Sequence, residues 1–161
     1  MELKNWTIMS GDNGYIEDGK LSYDLEDEEK KEKENKDPKM CYFKTDKYFN
    51  EGEISFKVKT DTSSCSIGIK HKIRKNGELT NMKIGHALEG KSFGIDIEDF
   101  EKKKSSLEHF DLTEELFFKI IIEGSKVKLF VNGIEIINSS ANLVEDQLKF
   151  FMRATKKVEV Y

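Results

Sequence analysis

The chain has 161 residues, 36% of them charged, and a net charge of −4. This length is typical of one domain, so residues 1–161 are predicted to form a single domain. The mildly acidic balance lacks the basic excess of nucleic-acid-binding domains, and we expect no nucleic-acid partner. No apolar run approaches the roughly 20 residues of a membrane-spanning helix, so no membrane partner is expected either.

The amino-terminal sequence MELKNWTIMSGDNG lacks the basic region, apolar run and cleavage site of a secretory signal. Cys41 and Cys65 each lie singly in an apparent strand, as free buried thiols do in a reducing compartment. We therefore expect a cytoplasmic location, or an extracellular one if the chain is a piece of a longer secreted protein.

The first third of the chain contains short alternating segments and one charged run. Residues 6–8, 15–16 and 20–25 are predicted strands, separated by turns rich in glycine, asparagine and aspartate. The run EDEEKKEKENKDPK, residues 26–39, holds no apolar side chain that could offset the entropy of ordering it. It is predicted to be a solvated, flexible loop.

Residues 40–44, 53–60 and 64–74 are the next predicted strands, with a turn over residues 45–52. The third strand places Ser66, Gly68, Lys70 and Lys72 in one phase and apolar residues with His71 in the other. A lone imidazole without an evident orienting partner lacks the geometry of a catalytic base. His71 is therefore interpreted as a partly covered histidine with a local hydrogen bond.

A hairpin is predicted at Asn76-Gly77, because both residues tolerate the positive φ of a type I′ turn, with residues 78–84 returning antiparallel. Residues 85–91 are predicted as a loop and residues 92–98 as a strand. Gly94, Asp96 and Glu98 share its non-core phase. Residues 99–111, with three consecutive lysines, are predicted as a loop or short helix.

The sequence FFKIIIEGSKVKLFVNGIEII, residues 117–137, predicts three strands joined by tight turns at 124–125 and at Asn132-Gly133. The predicted register places Ile121, Phe130 and Ile137 together on the outer face. Such an apolar stripe favours a homodimer or a protein partner. The alternative is that residues 99–111 or 139–145 pack over it within the same domain.

Many short strands with turns every eight to twelve residues predict an all-β sandwich. The motifs W-T-x-x-x-G, Y-I-x-D-G-K-L, Y-F-N-E-G-E-I-S-F-K-V, G-S-K-V-K-L-F-V-N-G-I-E-I and the terminal V-E-V-Y resemble the concanavalin A-like lectin/glucanase superfamily. The resemblance runs from Trp6 to Tyr161 and is greatest to laminin-G-like modules and 3-keto-disaccharide hydrolases. It implies a two-sheet antiparallel jelly-roll β-sandwich that holds carbohydrate on its concave sheet, with Trp6 and Tyr15 in packing roles.

A groove on that face is predicted from side-chain size, because Ser66, Gly68 and Gly94 are small and lie in the non-core phase. Sugar sites combine an apolar wall with a few polar groups. The predicted ligand-binding residues are Tyr42, Ser66, Gly68, Lys70, Lys72, Gly94, Asp96 and Glu98. They favour a non-catalytic carbohydrate-binding module.

Two other functions stay open. Residues 96–101 read D-x-E-x-x-E, similar to the E-x-D-x-x-E strand of superfamily glucanases with the residue types exchanged. A glycoside hydrolase would then use Asp96, Glu98 and Glu101, although the exchange shortens the first side chain and catalysis is sensitive to displacements of about 1 Å. An intracellular interaction or architectural domain is the other alternative, based on the stripe described above.

The cysteines and histidines show none of the close pairings of a zinc site, so no cofactor is expected. Calcium is common in the resembling domains. It would use loop carboxylates such as Asp12, Asp18 or Asp99, without an ordered run of acidic ligands to locate it.

Overall fold

The computed structural model describes residues 6–11, 13–24, 40–60, 65–87, 92–98, 101–107, 110, 114–154 and 157–161. No helix capable of spanning a bilayer occurs within these ranges. The predicted charged loop at 26–39 lies outside them.

The described residues form strands almost throughout. In chain order these are β1 (Trp6–Ser10), β2 (Gly14–Glu17), β3 (Lys20–Asp24), β4 (Cys41–Phe49), β5 (Gly52–Thr60), β6 (Cys65–Lys75), β7 (Glu78–Ala87), β8 (Ser92–Ile97), β9 (Glu101–Ser106), β10 (Leu116–Glu123), β11 (Lys126–Val131), β12 (Ile134–Ser140), β13 (Asn142–Leu143), β14 (Asp146–Ala154) and β15 (Lys157–Val160).

The strands form two antiparallel sheets. The larger sheet has the order β1-β4-β14-β6-β7-β8-β9, with β13 paired to β6, and the smaller has the order β12-β11-β10-β5-β15-β3-β2. Phe56 of the smaller sheet stacks on Phe118 at 5.4 Å between ring centroids and meets Phe150 of the larger sheet edge-on at 5.1 Å. These rings join the inner faces of the sheets in one apolar core. The predicted all-β sandwich is confirmed.

The predicted hairpin turns are confirmed. Asn76 and Gly77 have φ angles of 51° and 79°, and Asn132 and Gly133 have φ angles of 50° and 82°. Positive φ at both central residues is the type I′ geometry, whose twist matches that of the flanking strands. The β10–β11 register also follows the prediction, with Glu123 opposite Lys126.

Three predicted boundaries are wrong. The predicted turn at 45–52 is mostly strand, because β4 continues to Phe49, and residues 85–87 of the predicted loop at 85–91 are the end of β7. Residues 101–106 form β9, at the edge of the larger sheet, rather than a loop or helix. Lysines on an edge strand discourage pairing with other chains, but they also hide the alternation by which a strand is recognised.

The predicted apolar stripe is also wrong in one of its three members. A β-bulge in β12 makes Ile136 an extra residue, so Ile137 lies opposite Leu129 instead of Lys128. Ile137 is consequently buried in the core, and only Ile121 and Phe130 stay half-buried on the outer face. Residues 99–111 and 139–145 were proposed to cover these two side chains. Two strands within those ranges, β9 and β13, belong to the larger sheet and not to the smaller sheet that carries Ile121 and Phe130.

Candidate functional site

Three glycines lie in register on three adjacent strands of the larger sheet. Gly68 of β6 is opposite Gly85 of β7, and Gly85 is opposite Gly94 of β8. We call these three residues the glycine row. Phe151 of β14 continues it on one side, and Lys104 of β9 continues it on the other. The sequence predicted Gly68 and Gly94 as site residues. Gly85, which was predicted to lie in a loop, is the residue between them in the sheet.

Close approach of the neighbouring backbone explains two of the glycines. A Cβ at Gly68 would collide with the carbonyl oxygen of Ile84, and a Cβ at Gly94 with the carbonyl oxygen of Lys103. Gly85 differs, since its Cβ would meet the Phe151 ring tip, Cζ, at 2.9 Å. Glycine in a strand often marks such a close approach.

Phe151 covers part of the glycine row and was not predicted as a site residue. Its ring tip would lie within 3 Å of a Cβ added at either Gly68 or Gly85, so the ring leans over both strands. Its side chain is 6% exposed, and the Lys83 ammonium lies 6.0 Å from its ring centroid. The signal in the sequence was its phase: Phe150 and Met152 are core residues, so Phe151 faces outward.

Two hollows flank this ring on the outer face. The first, about 180 Å³, is lined by Ser66, Lys83, Gly85, Gly94, Ile95, Asp96, Lys102, Lys103, Lys104 and Phe151. The second, about 340 Å³, is lined by Lys70, Asn81, Lys83, Asp96 and Glu98. They share Lys83 and Asp96 and so lie side by side, forming a two-part groove. We call this the outer groove.

The predicted ligand-binding residues all lie on this face, though not all of them line the groove. Ser66, Gly94, Lys70, Asp96 and Glu98 do so. Gly68 lies beneath the Phe151 ring. Lys72 is exposed on β6, two residues beyond Lys70 and opposite Asn81 of β7.

Tyr42 of β4 lies next to the groove, directly opposite Phe151 of β14. The Lys70 ammonium is 5.7 Å from its ring centroid, a cation–π arrangement. The predicted aromatic face is thus in contact with a lysine of the chain itself.

Two residues further along each strand, and on the same face, a second line of side chains crosses six strands in register. It consists of five lysines and one aspartate. Lys44 is opposite Lys149, Lys149 opposite Lys70, and Lys70 opposite Lys83. Lys83 is opposite Asp96, which is opposite Lys102. We call these six residues the lysine row.

The candidate carboxylates are divided between two strands. Asp96 and Glu98 are exposed on the same face, and Asn81 donates its side-chain N–H to Glu98 Oε2 at 3.2 Å. Glu101 is instead on β9, where it pairs with the core residue Ile97. Glu101 was predicted in the loop or short helix at 99–111, and it lies instead on β9, which pairs antiparallel with β8.

His71 is a core residue. Its ring Nε2 donates a hydrogen bond to the carbonyl of Val144 at 2.7 Å, and Phe49 packs edge-on against it at 6.3 Å. Burial lowers the pKa of His71 below its ordinary value of 6.5, while the Val144 hydrogen bond and the nearby Asp146 carboxylate oppose this shift. The structure thus differs from the predicted partly covered histidine with a local hydrogen bond: His71 is 2% exposed, and its partner Val144 is 73 residues along the chain.

Of the loop carboxylates named for calcium, Asp12 and Asp99 lie outside the described residues. Asp18 is exposed in the β2–β3 turn with a φ of 51°. Among the described side chains, no group of three or more metal ligands comes together.

No protein-family model and no curated relative matches the sequence. The fold is similar to that of the carbohydrate-binding module CBM66 from Bacillus subtilis, with a TM-score of 0.69 and 8% identity over 97% of this chain and 91% of that one. A galectin-like protein of unknown function from Bacillus subtilis matches at 0.69 and 12%, covering 98% and 87% of the two chains.

The Bacillus licheniformis β-glucanase also shares the fold, with a TM-score of 0.62 and 10% identity over 99% of this chain and 92% of that one. At these identities the likeness shows architecture alone, and it extends over nearly the whole chain. The resemblance that the sequence motifs indicated is confirmed at the level of the fold: the chain is a concanavalin A-like jelly roll.

Proposed function

We propose that this domain binds carbohydrate in the outer groove without cleaving it. The observation that carries the proposal is the outer groove, which Gly85 and Gly94 line together with Phe151 and a set of polar side chains. An apolar ring with a few fixed polar groups is the usual composition of a small-ligand site. Phe151, which is 6% exposed, and Ile95 form part of the apolar lining rather than an open stacking face, and Asp96, Glu98 and Lys70 supply the polar groups.

The polar groups suit the hydroxyls of a sugar. The Asp96 and Glu98 carboxylates accept hydrogen bonds, and the Lys70 and Lys83 ammonium groups donate them. The hydrogen bond from Asn81 holds the Glu98 carboxylate in one orientation, which reduces the entropy lost when a ligand binds. The similarity in fold to a carbohydrate-binding module is consistent with this use of the sheet.

Glycoside hydrolysis is the second candidate, because Asp96, near the end of β8, and Glu98, just after it, line the same hollow. A retaining enzyme uses two carboxyl groups about 5–5.5 Å apart, one as nucleophile and one as general acid. Two features favour binding over cleavage here. The residue at the first acidic position is the shorter aspartate, and the third acid of the motif belongs to the next strand.

The test is a binding panel of neutral and charged oligosaccharides read by isothermal titration calorimetry. Asp96→Ala should weaken binding of the best ligand at least tenfold. Glu135→Ala, an equally exposed carboxylate on the smaller sheet, is the matched control and should leave the affinity unchanged. Reducing-end assays on the same sugars should show no release. Release that Asp96→Asn abolishes would establish the hydrolase instead.

A further inference from the structure

The lysine row places like charges next to one another across the larger sheet. In each of the pairs Lys44–Lys149, Lys149–Lys70 and Lys70–Lys83, the ladder partner of a lysine is another lysine. Residues directly opposite on adjacent strands have their Cβ atoms about 4.5–5.5 Å apart, and like charges there are destabilising. The free protein therefore maintains this arrangement at a cost in stability.

Three described lysines outside the row, Lys20, Lys57 and Lys119, have carboxylate partners within 4 Å. On the smaller sheet Lys119 meets Glu53 at 3.3 Å and Lys57 meets Glu115 at 3.7 Å. In the lysine row, Lys70 and Lys83 instead lie near the rings of Tyr42 and Phe151. A ring face attracts a cation through its quadrupole but does not neutralise its charge.

The positive charge extends around the outer groove. Among the described residues that line the groove, five are lysines and two, Asp96 and Glu98, are acidic. The lysines are Lys70, Lys83, Lys102, Lys103 and Lys104. The chain as a whole carries a charge of −4, so this face has the opposite sign to the rest of the molecule. Such a concentration of charge selects ligands of complementary charge.

We propose that the carbohydrate bound in the outer groove is an anionic polysaccharide, carrying carboxylate or sulfate groups, and that it lies along the lysine row. This inference rests on the proposed function and names its ligand class. The row crosses six strands, which at the usual strand spacing spans about 24 Å. A chain with repeated charges matches that length, whereas a single small anion would satisfy only part of it.

The same face is poorly suited to nucleic acid. Proteins that bind single strands without sequence preference stack the bases on exposed aromatic rings. Here Phe151 is 6% exposed, and the Tyr42 ring is approached by Lys70. A polymer whose units carry charge and hydroxyl groups without flat bases requires no such platform.

The experiment compares the double variant Lys70→Gln/Lys83→Gln with the control Lys126→Gln/Lys128→Gln. Both remove two positive charges, one pair from the lysine row and one pair from the smaller sheet. The probes are polygalacturonate for carboxylate, dextran sulfate for sulfate, unmodified dextran as the neutral polymer, and single- and double-stranded oligonucleotides. Binding is measured at about 150 mM salt, where charges beyond roughly 8 Å are screened.

We expect one or both anionic polysaccharides to bind at least tenfold more tightly than dextran and the oligonucleotides. The lysine-row variant should lose that advantage at least tenfold, and the control should change less than twofold. Tighter binding of polygalacturonate would identify carboxylate as the preferred group, and tighter binding of dextran sulfate would identify sulfate.

Three results would overturn the inference. Equal losses in both variants would mean nonspecific attraction, and preferential binding of oligonucleotides would mean a nucleic-acid surface. Tight binding of a neutral sugar that depends on Asp96 and not on Lys70 and Lys83 would leave the proposed function intact and refute its anionic ligand. Absence of binding to any sugar, charged or neutral, would defeat both.

Discussion

Lys149 of β14 and Lys70 of β6 lie directly opposite each other in the larger sheet, and Lys149 faces a second lysine, Lys44, on its other side. Lys149 thus has a like-charged neighbour on both sides, as does Lys70, which lies between Lys149 and Lys83. This relationship has a consequence for stability that can be measured without any ligand.

Lys149→Gln should stabilise the free protein by about 0.2–1 kcal/mol, because it removes two unfavourable cross-strand pairs. Chemical denaturation at low salt measures the effect. Lys128→Gln is the control, since Lys128 faces Ile121 and Asn138, and it should change stability less. A gain that does not shrink in high salt would show that repulsion is not the cause.

The two kinds of glycine in the glycine row should respond differently to alanine. Gly94→Ala forces a Cβ against the Lys103 carbonyl and should cost about 1–3 kcal/mol, the range for overpacked sites. Gly85→Ala meets the tip of the Phe151 ring, which can turn aside, and should cost less. Urea unfolding of the two variants measures the difference. Equal costs would indicate that the close backbone approach at Gly94 is not rigid.

His71 should make stability depend on pH. Its pKa is lowered in the folded state, so the unfolded chain binds a proton more readily. The neutral ring contributes its full stability above the unfolded pKa of about 6.5. That contribution decreases as the pH falls below 6.5 towards the folded pKa.

Denaturation between pH 8 and pH 5 tests this dependence. His71→Gln, whose amide can still donate to Val144, should flatten the curve over this interval. An unchanged slope in the variant would assign the pH dependence to carboxylates.

Ile137 and Phe130 of the smaller sheet were predicted to share one apolar stripe, but Ile137 lies in the core and Phe130 on the outer face. Ile137→Ala should cost about 2–5 kcal/mol, because Ile137 is buried opposite Leu129. Phe130→Glu should leave the fold intact and weaken self-association if the Ile121–Phe130 surface is a contact between copies. Sedimentation and thermal unfolding measure the two effects. A monomer that loses much of its stability on Phe130→Glu would assign this surface to the core instead.

Local chemistry determined which features the sequence could predict. Asn76-Gly77 and Asn132-Gly133 specify their own turns, and alternation around Ile67 and Ile95 specifies buried faces. The neighbours of a residue across a sheet depend on register, which is set by contacts between distant segments. The alignment of Gly85 with Gly68 and Gly94 is of this kind, and so is the lysine row.

Two features were hidden for other reasons. The extra residue in β12 turns Ile137 to the core face instead of the predicted outer face. No distinctive residue marks this bulge in the sequence. Lys102, Lys103 and Lys104 obscure the period-two pattern of β9, because an edge strand can carry charge on both faces. Most of the predicted site residues therefore line the outer groove, while Phe151, Gly85 and Lys83, which also line it, were not predicted.

Amide chemical-shift mapping during titration with the tightest-binding sugar of the panel tests the central claim most directly. If sugar binds in the outer groove, the largest shifts should occur at Gly85, Gly94, Asp96 and Phe151, and should be absent in Asp96→Ala at the same sugar concentration. Shifts centred on Ile121 and Phe130 of the smaller sheet, or no saturable shift with any sugar, would contradict it.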